Sequence, residues 1–228
     1  IRKLKKIFCQ NYYENSNLQS LGIKSSRIIN FPVGVHNNFL IESSLLQDIG
    51  ERKYDVLFSL RYIEKDSHYS IRKRYKFIID LSNILSELNL KVAILGEGWD
   101  ELRESINHKV ELLNVEFEYY SSIYRNTKIY CNPSLVEGGP ISLIEAFSSG
   151  CIIFTSPVGL SFNLFEDDEM FYLIPFQSEI VYWKNKISEI LRMKIESKEF
   201  LKIMEKRLSK IEKSTFPYLA SILDEHIK

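Results

Sequence analysis

The chain is poor in the residues that build metal sites and disulfide scaffolds. Its 228 residues include three cysteines and four histidines. Cys9, Cys131 and Cys151 are isolated and odd in number, two inside strand-like apolar runs and one bordering such a run. They read as reduced, buried thiols and not as a disulfide framework. His36, His68, His108 and His226 are scattered without ligand spacing, which argues against zinc. No apolar run approaches the roughly 20 residues that span a bilayer, and no signal-peptide pattern is visible. Together these absences point to the cytoplasm. Charge of one sign is also missing: 30 basic and 30 acidic residues leave a formal net charge of +0, so nothing calls for nucleic acid. The basic start (Arg2, Lys3, Lys5, Lys6) is shorter than an anchoring cluster and allows at most peripheral contact with an anionic inner membrane surface. Internal repeats and low-complexity segments are absent too. What remains is ordinary: 45% hydrophobic and 26% charged residues, enough chain for one large or two small globular domains.

The most informative stretch runs from Tyr130 to Gly159, YCNPSLVEGGPISLIEAFSSGCIIFTSPVG. Ile129 to Cys131 reads as a buried strand, stopped by Asn132, Pro133 and Ser134. Ile141 to Phe147 forms an apolar helix closed by Ser148, Ser149 and Gly150, and Ile152 to Thr155 is the next strand. Between strand and helix lie Glu137, Gly138, Gly139 and Pro140. The glycines allow a ligand close to the backbone, and Pro140 suits a first helical turn. The free amides and dipole of that helix start would make an anion site. Glu137 and Glu145, with seven residues between them, place a carboxylate on either side of it. Carboxylates there would accept hydrogen bonds from sugar or ribose hydroxyls. A plain tight turn with dipole-compensating glutamates fits the same residues, so the spacing alone leaves both readings open.

Elsewhere strands and helices alternate. Ile7 to Cys9 is a short strand, Glu14 to Leu21 a helix ended by Gly22, and Arg27 to Phe31 a strand broken by Pro32. Tyr54 to Leu60 is a strand with Arg61 at its carboxyl end, where open α/β sheets bind ligands. The spacing of Ile78, Leu81, Leu85 and Leu88 predicts one amphipathic helix from Arg72 to Leu88. Lys91 to Leu95 is a strand ending in Gly96-Glu97-Gly98. Asp100 caps a helix to Asn107, Val110 to Leu113 is a strand, and a helix reaches Arg125. Glu166, Asp167, Asp168 and Glu169 read as a solvated turn, not a metal-binding Asp-x-Asp. Phe171 to Ile174 is the last strand. Helices follow over Glu179 to Met193 and Ser197 to Ile211, then an interruption at Thr215-Phe216-Pro217 and a closing helix to Ile227. This alternation predicts an α/β fold, a parallel sheet with helices on both faces.

PSLVEGGPISLIEAFSSGCIIFTSPVG resembles the signature of retaining GT-B glycosyltransferases of the GT4 type: Pro-Ser, Glu-Gly-x-x, then Glu-Ala and a glycine. Val33 to Phe39 resembles the family's crossing between its two Rossmann-like domains, with His36 in place of the usual Asp. The resemblance implies residues 1–33 as a remnant of an N-terminal domain, 34–214 as the nucleotide-sugar-binding domain, and 215–228 as a helix returning toward the first. It implies no cofactor and no metal, with a UDP- or GDP-sugar as donor substrate. Arg61 and Lys73 would grip the donor diphosphate, Lys76 competing with Lys73 and Arg74 standing where the family has glycine. Gly138, Gly139 and Pro140 would cradle phosphate or sugar, Glu145 would take the ribose, and Glu137 would lie by the donor sugar. Gly98 and Tyr119 would border the nucleotide. Hydrolysis by the two carboxylates fits a phosphate cradle poorly. The implied partners are the donor, a sugar or lipid-linked acceptor, and a missing N-terminal domain or partner subunit. A nucleotide-sugar epimerase relative and a non-catalytic or split-enzyme subunit are the alternatives.

Overall fold

The computed structural model describes residues 5–31, 33–40, 49–64, 67–164, 167–211, 219–220 and 222. The chain begins with β1 (Ile7–Cys9), α1 (Tyr12–Ser20) and β2 (Ile28–Asn30), and β1 and β2 pair in parallel as a separate small sheet. The main unit follows: β3 (Tyr54–Ser59), α2 (Ser67–Lys73), α3 (Tyr75–Glu87), β4 (Val92–Leu95) and β5 (Glu111–Leu113). Then come α4 (Tyr120–Arg125), β6 (Thr127–Asn132), α5 (Ile141–Ser148), β7 (Ile152–Thr155), α6 (Ser161–Leu164) and β8 (Phe171–Leu173). Helices α7 (Ile180–Ile190) and α8 (Ser197–Ile211) complete the described elements.

Six strands form one sheet in the order β5-β4-β3-β6-β7-β8, every neighbouring pair parallel. The chain winds outward from β3 to β5, returns to the other side of β3, and winds outward again to β8. That reversal makes β3 and β6 the switch point of a doubly wound sheet. Strands β4 and β7 are buried at every position and apolar at all but Thr155, as strands covered on both faces must be. Alternation splits their side chains between two cores. Val56, Phe58, Ile94, Ile129 and Phe154 face α3, α7 and α8, where Ile78, Leu81, Trp183 and Met204 fill the layer. Leu57, Ala93, Leu95, Tyr130 and Ile153 face α4 and α5, with Tyr124, Leu143 and Phe147. Val33, Val35 and Phe39 join this second core, so the segment entering the main unit packs as part of it. The three cysteines are buried and unpaired, and no helix among the described residues is long and apolar enough to cross a membrane.

Five expectations change. The single helix over Arg72 to Leu88 is two, because Arg74 turns left-handed at φ 57° and ψ 50° and redirects the chain between α2 and α3. A residue without a Cβ suits this conformation, in keeping with the glycine that the resembled family has here; Arg74 bears the cost, of order 1–2 kcal/mol, and stacks its guanidinium 3.8 Å over the Phe77 ring. Leu88, expected in the buried stripe, ends α3 and is exposed. Asp100 caps nothing: Trp99–Ser105 is a 3₁₀ segment begun at Gly98. Pro140 precedes α5 as its N-cap residue instead of sitting in the first turn. Helix α1 starts earlier than expected, capped by Asn11, whose Oδ1 accepts from the Glu14 N–H.

The acidic turn is also not wholly solvated. The Asp168 side chain is buried against Arg207 of α8, which is 0% exposed, with Nε to Oδ2 at 2.6 Å and Nη2 to Oδ1 at 2.9 Å. Arg207 also donates to the Cys151 carbonyl at 2.7 Å. One side chain thus ties α8 to the turn before β8 and to the start of β7. Glu166, the interruption at 215–217 and most of the closing helix lie outside the described residues.

Candidate functional site

Strand β3 ends at Ser59, and Leu60 to Tyr62 pass directly beneath the turn that follows β4. The contact is close enough to require glycine: a Cβ at Gly96 would sit 2.3 Å from the Leu60 carbonyl oxygen. Gly98 packs against the Tyr62 carbonyl in the same way. The Leu60 and Tyr62 amides bond Leu95 and Glu97 carbonyls at 2.9 and 2.8 Å, and Trp99 Nε1 donates to the Leu60 carbonyl at 2.7 Å. Tyr75 from α3 donates its hydroxyl to the Arg61 carbonyl at 2.8 Å. The Gly-x-Gly turn therefore clamps the backbone that carries Arg61.

Above this clamp lies a cleft of about 340 Å³, bordered by Arg61, Lys73, Glu97, Tyr120, Ser142 and Glu145. It opens at the carboxyl ends of β3 and β4 beside the start of α5, where an open sheet at its switch point takes ligands. Arg61 is exposed and makes no ion pair among the described residues. Lys73, at the end of α2, is paired with Glu137, and both side chains are largely shielded from solvent. Lys76, the competing candidate, points to solvent and pairs with Asp80.

Glu145 sits inside α5 and is only 5% exposed. Burial pushes its carboxyl up to about 7 from an ordinary 4.5, tempered by the Tyr124 hydroxyl. Tyr120, facing Glu97, Glu145 and Glu116, is raised above the usual phenol range, chiefly by burial. At the α5 start the Ser142 hydroxyl and the Tyr130 hydroxyl lie 2.7 Å apart, which fixes the side chain at the first turn. The cleft thus brings two cations, Arg61 and Lys73, and two carboxylates, Glu97 and Glu145, to one border.

Gly138, Gly139 and Pro140 do not line this cleft; Gly138 and Gly139 pack on the N-terminal segment. A Cβ at Gly139 would meet Val33 Cγ2 at 2.1 Å. Tyr119 is 57% exposed and borders a second hollow of about 570 Å³ with Asn114, Val115 and Glu116. Glu97 borders both hollows. Sequence reasoning singled out neither Glu97, Ser142 nor Tyr69 as site residues, although Glu97 stands inside the Gly-x-Gly it named. Tyr69, which also borders the cleft, had no signal, because most of α2 lies ahead of the helix predicted from Arg72, in residues that read as a polar loop. No group of three or more His, Cys, Asp or Glu side chains suited to a metal occurs among the described residues.

Comparison with solved structures gives the same architecture. TarM from S. aureus, in a complex with fondaparinux, α-GlcNAc-glycerol and UDP, superposes with TM-score 0.71 at 18% identity, covering 99% of this chain and 44% of that one. HepE from Anabaena, with UDP-glucose, gives 0.69 at 13%, covering 98% and 63%. Sucrose-phosphate synthase from Thermosynechococcus elongatus gives 0.70 at 16%, covering 96% and 56%. The chain therefore spans about half the length of these proteins, and at such identities the likeness establishes the fold. No curated protein sequence matches. The family model described as glycosyl transferases group 1 matches residues 66–207, more than half of the chain, and includes Lys73, Glu97, Glu137 and Glu145 but not Arg61. On that match this chain belongs to the glycosyl transferases group 1 family, the GT4 glycosyltransferases.

Proposed function

We propose that this chain is the donor-binding half of a retaining glycosyltransferase and holds a nucleoside-diphosphate sugar in the cleft above β3 and β4. The observation that carries the reading is one hollow bringing Arg61 and Lys73 together with the buried Glu145 at a doubly wound switch point. Two cations suit a diphosphate, whose leaving charge they would stabilise as the glycosidic bond breaks. Glu145 suits the ribose hydroxyls, which donate to a carboxylate. The Tyr119 hollow, joined to the cleft at Glu97, is the place for the base. Glu137 would face the donor sugar once Lys73 turns to phosphate. In this reading residues 1–33 belong to an N-terminal domain, 34–214 bind donor, and 215–228 return to the first domain. A complementary domain or subunit would bring the acceptor, a sugar or a lipid-linked glycan. TarM and HepE were solved with UDP or UDP-glucose, so a uridine nucleotide is the first donor to test. The test is calorimetric titration with UDP, GDP and their common sugars. Saturable binding of one nucleotide series supports the reading; a folded chain that binds none overturns it for this chain.

The Lys73–Glu137 pair adds a prediction of unusual sign. A free nucleoside diphosphate gains nothing from Glu137 and must compete with it for Lys73. Glu137→Gln is expected to tighten UDP binding about threefold to tenfold, or roughly 0.7–1.4 kcal/mol, while weakening the UDP-sugar. Weaker binding of both in the same titration would show that the pair does not compete with phosphate.

A further inference from the structure

Asn11 makes two bonds with the two ends of one amide. Its Oδ1 accepts from the Glu14 N–H at 2.9 Å and caps α1. The Glu14 carboxylate reaches back to the Gln10 N–H at 2.8 Å, closing a capping box shifted by one residue. The other end of the amide, Nδ2, donates to the Gly138 carbonyl at 2.8 Å across 127 positions of sequence. Asn11 is 4% exposed, so water does not readily replace it. Gly138 is held from its other side by Gly159, where a Cβ would fall 2.0 Å from the same carbonyl oxygen. Glu14 and Gln10 side-chain oxygens also come within 3.2 and 3.3 Å of the Cβ position at Gly138. A serine would cap α1 about as well. Capping therefore leaves the Nδ2 bond unexplained, and that bond lands next to Glu137.

We propose that Asn11 is a positioning residue for the sugar end of the donor site. By holding the Gly138 carbonyl it fixes the backbone from Glu137 to Gly139 and aims the Glu137 carboxylate at the hexose of a nucleoside-diphosphate sugar. The small β1-α1-β2 unit is thereby tied to the sugar-binding loop and not to the nucleotide. This rests on the donor reading above.

Asn11→Ser separates the two roles, since it keeps a cap acceptor and removes the donor to Gly138. In the ligand-free protein the Leu135 and Leu143 amides, bonded to the Arg72 and Pro140 carbonyls at the two ends of the loop, are expected to exchange with solvent about tenfold faster, with the α1 amides unchanged, as one lost hydrogen bond of ordinary strength implies. In calorimetry UDP affinity stays within about twofold, while affinity for the sugar nucleotide bound by the parent chain falls about tenfold. Unchanged loop exchange overturns the proposal, and so do equal losses for UDP and UDP-sugar. If the parent chain binds none of UDP, GDP, UDP-glucose, UDP-N-acetylglucosamine or GDP-mannose, the donor reading fails, and the exchange result still decides whether Asn11 holds the loop.

Discussion

Glu145→Gln is expected to stabilise the empty protein while disabling its site. Burial lifts the Glu145 carboxyl to about 7 because the anion, borne by α5, is held in a nearly closed position. The folded state then binds this proton more tightly than the unfolded chain, whose carboxyl titrates near 4.5. Raising the pH from about 4.5 to 7 withdraws stability, and above 7 the whole cost of the buried charge is present, on the order of 3 kcal/mol. Glutamine carries no such cost, so at pH 8 urea unfolding is expected to show a gain of about 1–3 kcal/mol. The same change removes charged acceptors for ribose hydroxyls, bonds of about 1.5–3 kcal/mol, and nucleotide affinity falls by about tenfold to a hundredfold. The parent protein adds a pH signature. Hydroxyl donors favour the ionised carboxylate, so donor binding near pH 6.5 releases a proton, visible as a buffer-dependent enthalpy. A sugar nucleotide is the right probe, since its diphosphate does not titrate there. A variant with lost stability and unchanged affinity would place Glu145 in the core and not in the site.

Asp168→Ala carries the largest expected loss of stability. Arg207 has no exposure, and Asp168 is its only acidic partner among the described residues. Without that carboxylate the guanidinium stays buried beside the Cys151 and Phe147 carbonyls and over the Phe147 ring, 4.5 Å from its centroid. Breaking one side of a buried pair costs about 3–5 kcal/mol, read as a lower urea midpoint. A loss below about 1 kcal/mol, at the level of an exposed pair, would show that the carbonyls and the ring suffice. Because Arg207 joins α8 to the end of α5, the same variant is expected to loosen the helix that carries Glu145.

Much was legible along the chain because its cause is local. The apolar runs at β3, β4, β6 and β7, the turn residues between them, and the Glu137–Glu145 spacing follow from which side chains prefer burial and which backbones can turn. They determined the α/β class, the parallel sheet and the cleft's first candidates, Arg61 and Glu145. The Asn11-Tyr12-Tyr13-Glu14 capping box was legible too, and reading the helix from Glu14 passed over it. The left-handed turn at Arg74 was not legible, because no residue there favours that conformation on its own and the surrounding packing imposes it. Nor were the partners that meet across long separations: Lys73 with Glu137, Arg207 with Asp168, Asn11 with Gly138. A charge run looks solvated until a distant arginine folds onto it, and an asparagine looks like a cap until its other end finds a carbonyl. Periodicity and propensity are properties of neighbours in sequence, and they decided the elements. Which charges are shielded and which loops are held depended on groups brought together only when the sheet closed.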